Sequence, residues 1–278
     1  MLRLLDSLSL PGDAARTNED SFAHGAAAAL VMDGATMLGD PLMPGPSDAA
    51  WIANFGARRL MAHLQDLEPK KALRAAMADA QKSFNALRLR QMEAPWQIPC
   101  ASVVLAAQTQ KGLEFLWLGD CGAILAQGDA VSVIGDTIAK RAGESARARV
   151  IAQERNVSPA APGVRAQFMA HLRAVRARVN SGDTWLFSPD KRAATHAQRR
   201  MVKAAAGTLV LLASDGFLAL ASDYGAYDAA GLIAAAKTKG LAALGAELRA
   251  IENDDAGGDK FARFKKSDDA TALLLEIQ

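Results

Sequence analysis

Between Cys100 and Gly135 four short apolar runs follow one another: CASVVLAAQ, LEFLWLG, GAILAQG and AVSVIG. Only Gln-Lys-Gly and two Gly-Asp pairs punctuate them. Short apolar runs broken by turn residues at hairpin spacing read as strands, so this stretch predicts four strands of an antiparallel sheet. Leu2 to Leu10, stopping at Pro11-Gly12, reads as an edge strand and turn. AAAALVM (26–32), TLVLLAS (208–214) and TALLLEI (271–277) read as further buried strands, and DTWLFSP (183–189) as another. Gly39 to Pro46, rich in glycine and proline, must be a loop.

Helices are predicted in blocks between these strands. Ser47-Asp48 caps one that runs to Leu67, with Trp51, Phe55 and Leu60 to Leu64 as its apolar stripe. Pro69 starts a second that runs to Ala94-Pro95, with Leu73, Met77, Phe84 and Leu87 facing inward. Residues 190–207 and 228–252 read as helical, and 253–267 as a mobile polar loop. Grouped strands with helices in blocks favour an α+β layered domain spanning 1–278 over alternating βαβ units. Residues 137–182, rich in alanine and arginine, read as helical again. Their apolar stripes, Val150-Ile151-Val157 and Phe168-Leu172-Val175-Val179, should dock and leave the arginines exposed.

Composition removes several classes of function. Half of the 278 residues are hydrophobic and 22% are charged, which excludes a disordered chain. No run of about 18 apolar residues spans a membrane. Met1 to Leu10 carries Asp6 and lacks the long apolar region of a secretory signal, so the expected compartment is the cytoplasm. Lysine and arginine (32) nearly balance aspartate and glutamate (30), which gives no argument for nucleic acid. The arginines between Lys140 and Arg200 read as solvated helix faces rather than as a dedicated anion-binding surface, the alternative being arginines turned toward a phosphorylated or acidic partner. Cys100 and Cys121 form no C-x-x-C pair, and His24, His63, His171 and His196 form no zinc-binding pair. A bound metal would need oxygen ligands, which suits Mg²⁺ or Mn²⁺.

Acidic residues cluster at the ends of the apolar runs. Asn18-Glu19-Asp20, Asp33-Gly34, Asp215-Gly216 and Asp268-Asp269 share this context. Short carboxylates beside glycine at a sheet's edge, gathered together, repel one another unless a cation neutralises them. Any one Asp-Gly pair is simply a common turn.

In order, RTNEDSF, LVMDGAT, CASVVLAA, LWLGDCGAIL, LVLLASDGF and SDDATALLLEI resemble the successive motifs of the metal-dependent protein serine/threonine phosphatases of type 2C. The resemblance runs from about Arg16 to Leu275 and is weakest over 137–182, where it implies a variable helical insertion beside the cleft. It implies a four-layer αββα sandwich, two antiparallel sheets flanked by helices, with two Mn²⁺ or Mg²⁺ ions, and a possible third, in a cleft at one end. Carried over by position, Asp33 would bridge two ions, with the Gly34 carbonyl on one. Asp215 and Asp268 would hold the other ion, and Asp20 would serve the Gly34 side. Asp120 would serve a further, weaker position. Glu19 and Asp269 are secondary ligand candidates, and Arg16 is the candidate for substrate phosphate.

The implied activity is hydrolysis of phosphoserine and phosphothreonine in proteins by a water activated between the metals, so Asp33, Asp215 and Asp268 are the catalytic candidates. The implied partners are a phosphoprotein substrate and a partner kinase. Two alternatives stay open: a regulatory module with weak or no turnover, or hydrolysis of a small phosphorylated metabolite. The chain also departs from the family pattern. Arg16 lies four residues before Asp20, with Ala15 at the usual arginine's place. Gly122 replaces the hairpin arginine, and Ala35-Thr36-Met37 follows Asp33-Gly34 where the family has a glycine pair.

Overall fold

Leu30 and Met32 of one strand pack against helices, while their neighbours Ala29 and Val31 pack against another sheet. A strand buried on both faces reads as a continuous apolar run, and it requires material on both sides. The computed structural model, which describes residues 1–137, 150, 158, 160, 166, 168–263 and 265–278, supplies that material as layers.

Among the described residues there are two five-stranded antiparallel sheets. One contains β2 (Asp20–His24), β3 (Ala28–Gly34), β4 (Ala101–Thr109), β5 (Gly112–Leu118) and β8 (Gln198–Val202), in the order β2-β3-β4-β5-β8. The other contains β1 (Leu2–Leu10), β6 (Gly122–Gln127), β7 (Ala130–Ile134), β9 (Leu209–Ala213) and β10 (Ala270–Ile277), in the order β1-β10-β9-β6-β7. Val31, Val104, Phe115, Ala123, Val210, Leu212 and Leu273 fill the space between them.

Outside the first sheet lie α1 (Asp48–His63) and α2 (Pro69–Leu87), which contribute Ile52, Ala53, Leu60, Leu73 and Met77 to a second core layer. Outside the other lie α4 (Asp215–Ser222), α5 (Ala229–Lys239) and α6 (Leu241–Asp254), contributing Phe217, Leu232, Ile233 and Leu244. Three apolar interfaces thus stack helix, sheet, sheet and helix, the four-layer arrangement expected. A further helix, α3 (Met169–Arg176), lies beside the cleft described below. No helix among the described residues is long and apolar enough to cross a membrane.

Several local expectations change. The four runs from Cys100 to Gly135 do not share one sheet. β4 pairs with β5 in the first sheet and β6 with β7 in the second, so the chain passes between sheets at Gly119-Asp120-Cys121. Residues 190–207 are not one helix. A short 3-10 turn, Lys191–His196, precedes β8, which pairs with β5 and sets the Arg199 guanidinium on the buried Glu114 carboxylate at 2.7 Å. An open sheet edge outweighs the helical propensity of that Arg- and Ala-rich segment.

DTWLFSP contributes only an isolated bridge, Phe187 to Ala101. The second helix ends at Leu87, which is exposed, as are Leu89 and Met92 beyond it. On α1 the buried stripe is Ile52, Ala53, Gly56, Ala57 and Leu60, with Trp51 and Phe55 half-buried beside it. The helix expected over 228–252 breaks at Gly240, whose φ of 84° suits glycine, and the Asp6 carboxylate accepts the Leu241 N–H at the restart. Of the stripe Val150-Ile151-Val157, all but the exposed Val150 lies outside the described residues.

Candidate metal centre

Antiparallel pairing brings the end of one strand beside the start of the next. Asp33, near the end of β3, stands opposite Asp20 at the start of β2 and Ser102 at the start of β4. Asp120 lies between β5 and β6, Asp215 follows β9, and Asp268 precedes β10. Since Ala213 pairs with both Gly122 and Ala272, these three ends in the second sheet coincide as well. The acidic residues therefore meet at one end of the two facing sheets.

One carboxylate oxygen from each of Asp33, Asp120 and Asp215 lies within 4.8 Å of the other two. Ser102 fixes Asp120 by donating its hydroxyl to Oδ1 and accepting the Asp120 N–H, while Thr137 donates to the Asp120 carbonyl. Asp215 occupies the first turn of α4, where the positive end of the helix favours an anion. Asp20 is buried, and neither of its carboxylate oxygens has a hydrogen-bond partner of good geometry.

Burial raises the Asp20 pKa to about 8; the Ser214 hydroxyl opposes the rise, and Asp269, Asp268 and Asp215 add to it. Burial, then Asp215, Asp20, Asp120 and Asp268, push Asp33 well above the usual carboxylate range. Hard oxygen donors alone, mutually repelling and partly orphaned, fit a divalent cation of the magnesium or manganese kind. Cys121 and Cys100 are buried nearby, and burial raises both thiols, so neither is a reactive thiolate.

Glycine matters at two contacts. A Cβ on Gly34 would stand 2.4 Å from the Ala49 carbonyl oxygen and 2.6 Å from that of Glu19. A Cβ on Gly216 would stand 2.0 Å from the Asp269 carbonyl oxygen. Side chains at either place would force strand ends and helix starts apart.

Other sequence candidates lie around the cluster in different ways. Asp268 lines the cleft and accepts from Lys265 Nζ at 2.7 Å. Both Asp269 oxygens are engaged by backbone, accepting the Gly12 N–H at 2.7 Å and the Glu19 N–H at 2.6 Å. Glu19 accepts the hydroxyls of Ser47 and Thr36, tying β2 to α1 and to the loop after β3. Arg16 has a side chain 75% exposed and faces Asp13 at 3.7 Å, outside the cleft lining.

The cleft at the cluster has a volume of about 470 Å³. Beside the carboxylates its wall carries Leu172, Val175, Leu186 and Phe261, and the cations Arg176, Arg263 and Lys265. Arg173 and Arg176 do not face solvent as expected. Arg173 donates to the Leu38 carbonyl and lies 4.3 Å over the Trp96 ring, while Arg176 donates to the Ala35 and Thr36 carbonyls. Ser102 and Lys265 are cleft residues that the sequence reading does not single out, and Arg176, expected among the exposed arginines, lines the cleft instead. Lys265 alone had a signal in the sequence, its place three residues before Asp268.

No protein-family model matches the chain, and no curated protein matches it in sequence. Solved structures do. The Mycobacterium tuberculosis serine/threonine phosphatase PstP/Ppp is 19% identical, with 100% of this chain and 99% of that one covered at a TM-score of 0.60. A structure of the PstP catalytic domain in complex with 2 manganese ions is 19% identical over 99% of each chain, with a TM-score of 0.56. The PPM Ser-Thr phosphatase MsPP from Mycobacterium smegmatis, in complex with cacodylate, is 15% identical over 99% of this chain and 100% of that one, with a TM-score of 0.58. The chain shares the fold of these phosphatases over its full length.

Proposed function

We propose that this chain is a metal-dependent phosphatase acting on phosphoserine and phosphothreonine in proteins. The observation that carries the reading is the convergence of one carboxylate oxygen each from Asp33, Asp120 and Asp215 within 4.8 Å in the lining of a cleft. The fold shared with serine/threonine phosphatases, one of them solved with manganese, supports it.

In this reading Asp33, Asp20, Asp215, Asp268 and the Gly34 carbonyl hold two Mn²⁺ or Mg²⁺ ions, and Asp120 serves a weaker third. Bound there, such ions supply a water of lowered pKa and offset charge on phosphoryl oxygens. The chain's own part is to gather the carboxylates at fixed separation. Ser102 orients Asp120, and Asp269 and Glu19 brace β2 against the turn at Gly12 and the loop after β3. We assign Glu19 and Asp269 to this bracing because their oxygens are already engaged.

The test is hydrolysis of para-nitrophenyl phosphate and of a phosphothreonine peptide by purified protein, with and without Mn²⁺. Turnover of both that requires the metal is expected. Manganese binding without hydrolysis of either substrate would sink the reading.

A further inference from the structure

We propose that Arg176 is the side chain that receives the substrate's phosphoryl group, a role that rests on the phosphatase reading above. Three cations line the cleft among the described residues: Arg176, Arg263 and Lys265. Two are committed to carboxylates. Arg263 pairs with Asp255 at 2.7 Å and also donates to the carbonyls of Phe261, Glu252 and Lys266. Lys265 pairs with Asp268 at 2.7 Å.

Arg176 has no carboxylate partner among the described residues. Its guanidinium donates to the Ala35 carbonyl at 3.2 Å and the Thr36 carbonyl at 3.4 Å, both long, and lies beside the Cys100 thiol. A guanidinium carries five N–H donors in a planar fork, and this one retains donors for a ligand.

Its placement is also fixed. Ala35 and Thr36 directly follow Asp33-Gly34, and the Ala35 N–H is itself held by the Cys100 carbonyl at 2.9 Å. Arg176 is thus anchored to the loop that carries the central carboxylate, on the cleft side. Its neighbour Arg173 is spent on Leu38 and Trp96, and Arg16 is out in solvent. A half-buried arginine with no carboxylate paired to it among the described residues, lining the same cleft as Asp33, Asp120 and Asp215, suits a dianion that accepts two parallel N–H bonds. The carboxylates repel a phosphate on their own, so phosphate affinity at this site requires the protein to be loaded with Mn²⁺.

The experiment titrates inorganic phosphate into Mn²⁺-loaded protein by calorimetry, alongside KM for para-nitrophenyl phosphate. Arg176→Ala should weaken phosphate binding and raise KM by roughly 10- to 100-fold, the scale of a lost charge-assisted pair. Arg176→Lys, which keeps the charge but loses the fork, should recover part of that loss and guards against a misfolded alanine variant. Affinity for Mn²⁺ should stay within about two-fold in both, and Arg178→Ala, at an exposed position, should match wild type.

Wild-type phosphate affinity in Arg176→Ala overturns the proposal. So does an equal loss of Mn²⁺ affinity, which would mean that Arg176 only holds the Ala35–Thr36 loop, or a phosphate defect in Arg16→Ala and not in Arg176→Ala. If wild type binds phosphate through Arg176 yet hydrolyses neither substrate, the phosphatase reading fails while the anion site stands.

Discussion

Asp20→Asn should stabilise the metal-free protein, by an amount that depends on pH. In the unfolded chain Asp20 ionises near 3.8, while in the fold it keeps its proton to about pH 8. Between those values the folded state binds the extra proton, so stability falls as pH rises. The contribution is fully present below about pH 4, is lost progressively up to about pH 8, and is flat above. At 1.36 kcal/mol per pH unit the loss at pH 7 is at most about 4 kcal/mol. Relaxation and water penetration reduce such burial costs, so about 2 kcal/mol is the working figure. Asparagine, nearly isosteric with the protonated carboxyl, removes the dependence. The melting temperature in EDTA should then rise roughly 3 to 4 °C at pH 7–8 for a chain of this length, and hardly at all at pH 4.5. Thermal melts across that range read the difference directly. A gap that does not vary with pH, or a variant less stable at pH 8, would refute the reasoning. Saturating Mn²⁺ should reverse the order, because the ion stabilises the ionised aspartate and not the amide.

Asp33→Asn should cut Mn²⁺-dependent turnover by more than about 100-fold, since even residues one step removed from a metal typically cost 10- to 100-fold. Metal-free stability at pH 8 should rise, because burial and four neighbouring aspartates oppose ionisation there; wild-type turnover would remove Asp33 from the site. Lys265→Met should tighten Mn²⁺ binding by about two- to five-fold, because the half-exposed ammonium competes for Asp268. Unchanged affinity in calorimetry would mean that Asp268 does not bind the ion. Gly34→Ala should cost about 2 kcal/mol or more, since both contacts of the new Cβ are backbone oxygens that cannot swing aside. A melting temperature equal to wild type would show that β3 and α1 have room to part.

Much of this arrangement is legible in the sequence where one residue type has only one use. β3, β9 and β10 are apolar on successive positions because sheets or helices cover both of their faces, and each has an aspartate at the cluster's end. Where a segment's context lies far away, the reading fails. Hairpin spacing around Gly119-Asp120-Cys121 says that two strands adjoin in sequence, not that they share a sheet; here the turn carries the chain from one sheet to the other. β8 has a helix former's composition, and only the open edge of β5 makes it a strand. Arg176 could not be told from its neighbours Arg173 and Arg178. Its inward direction depends on the Ala35–Thr36 carbonyls, more than a hundred residues earlier in the chain.

The acidic centre also explains why so much apolar surface surrounds it. Asp20 and Asp33 stand opposite each other on adjacent strands, the register at which like charges destabilise a sheet. Neither can move apart without breaking that ladder, because Asp33 is held on its other side by Ser102 and Gly34 by the Glu19 carbonyl at 3.0 Å. Protonation relieves the repulsion without cations, and cation binding relieves it without protons. If the ions of the proposed reading bind there, the same two residues would exchange protons for metal with little movement of the backbone. The three packed apolar layers keep the register fixed while the charge at its end changes. Mn²⁺ binding should accordingly release protons. Titrated at pH 7 in two buffers of different ionisation enthalpy, the protein should release about one proton or more, falling toward zero as the pH passes well above the Asp20 value of about 8. Binding with no proton release at pH 7 would mean that the carboxylates are already ionised in the metal-free fold, and that the repulsion is relieved by some other route.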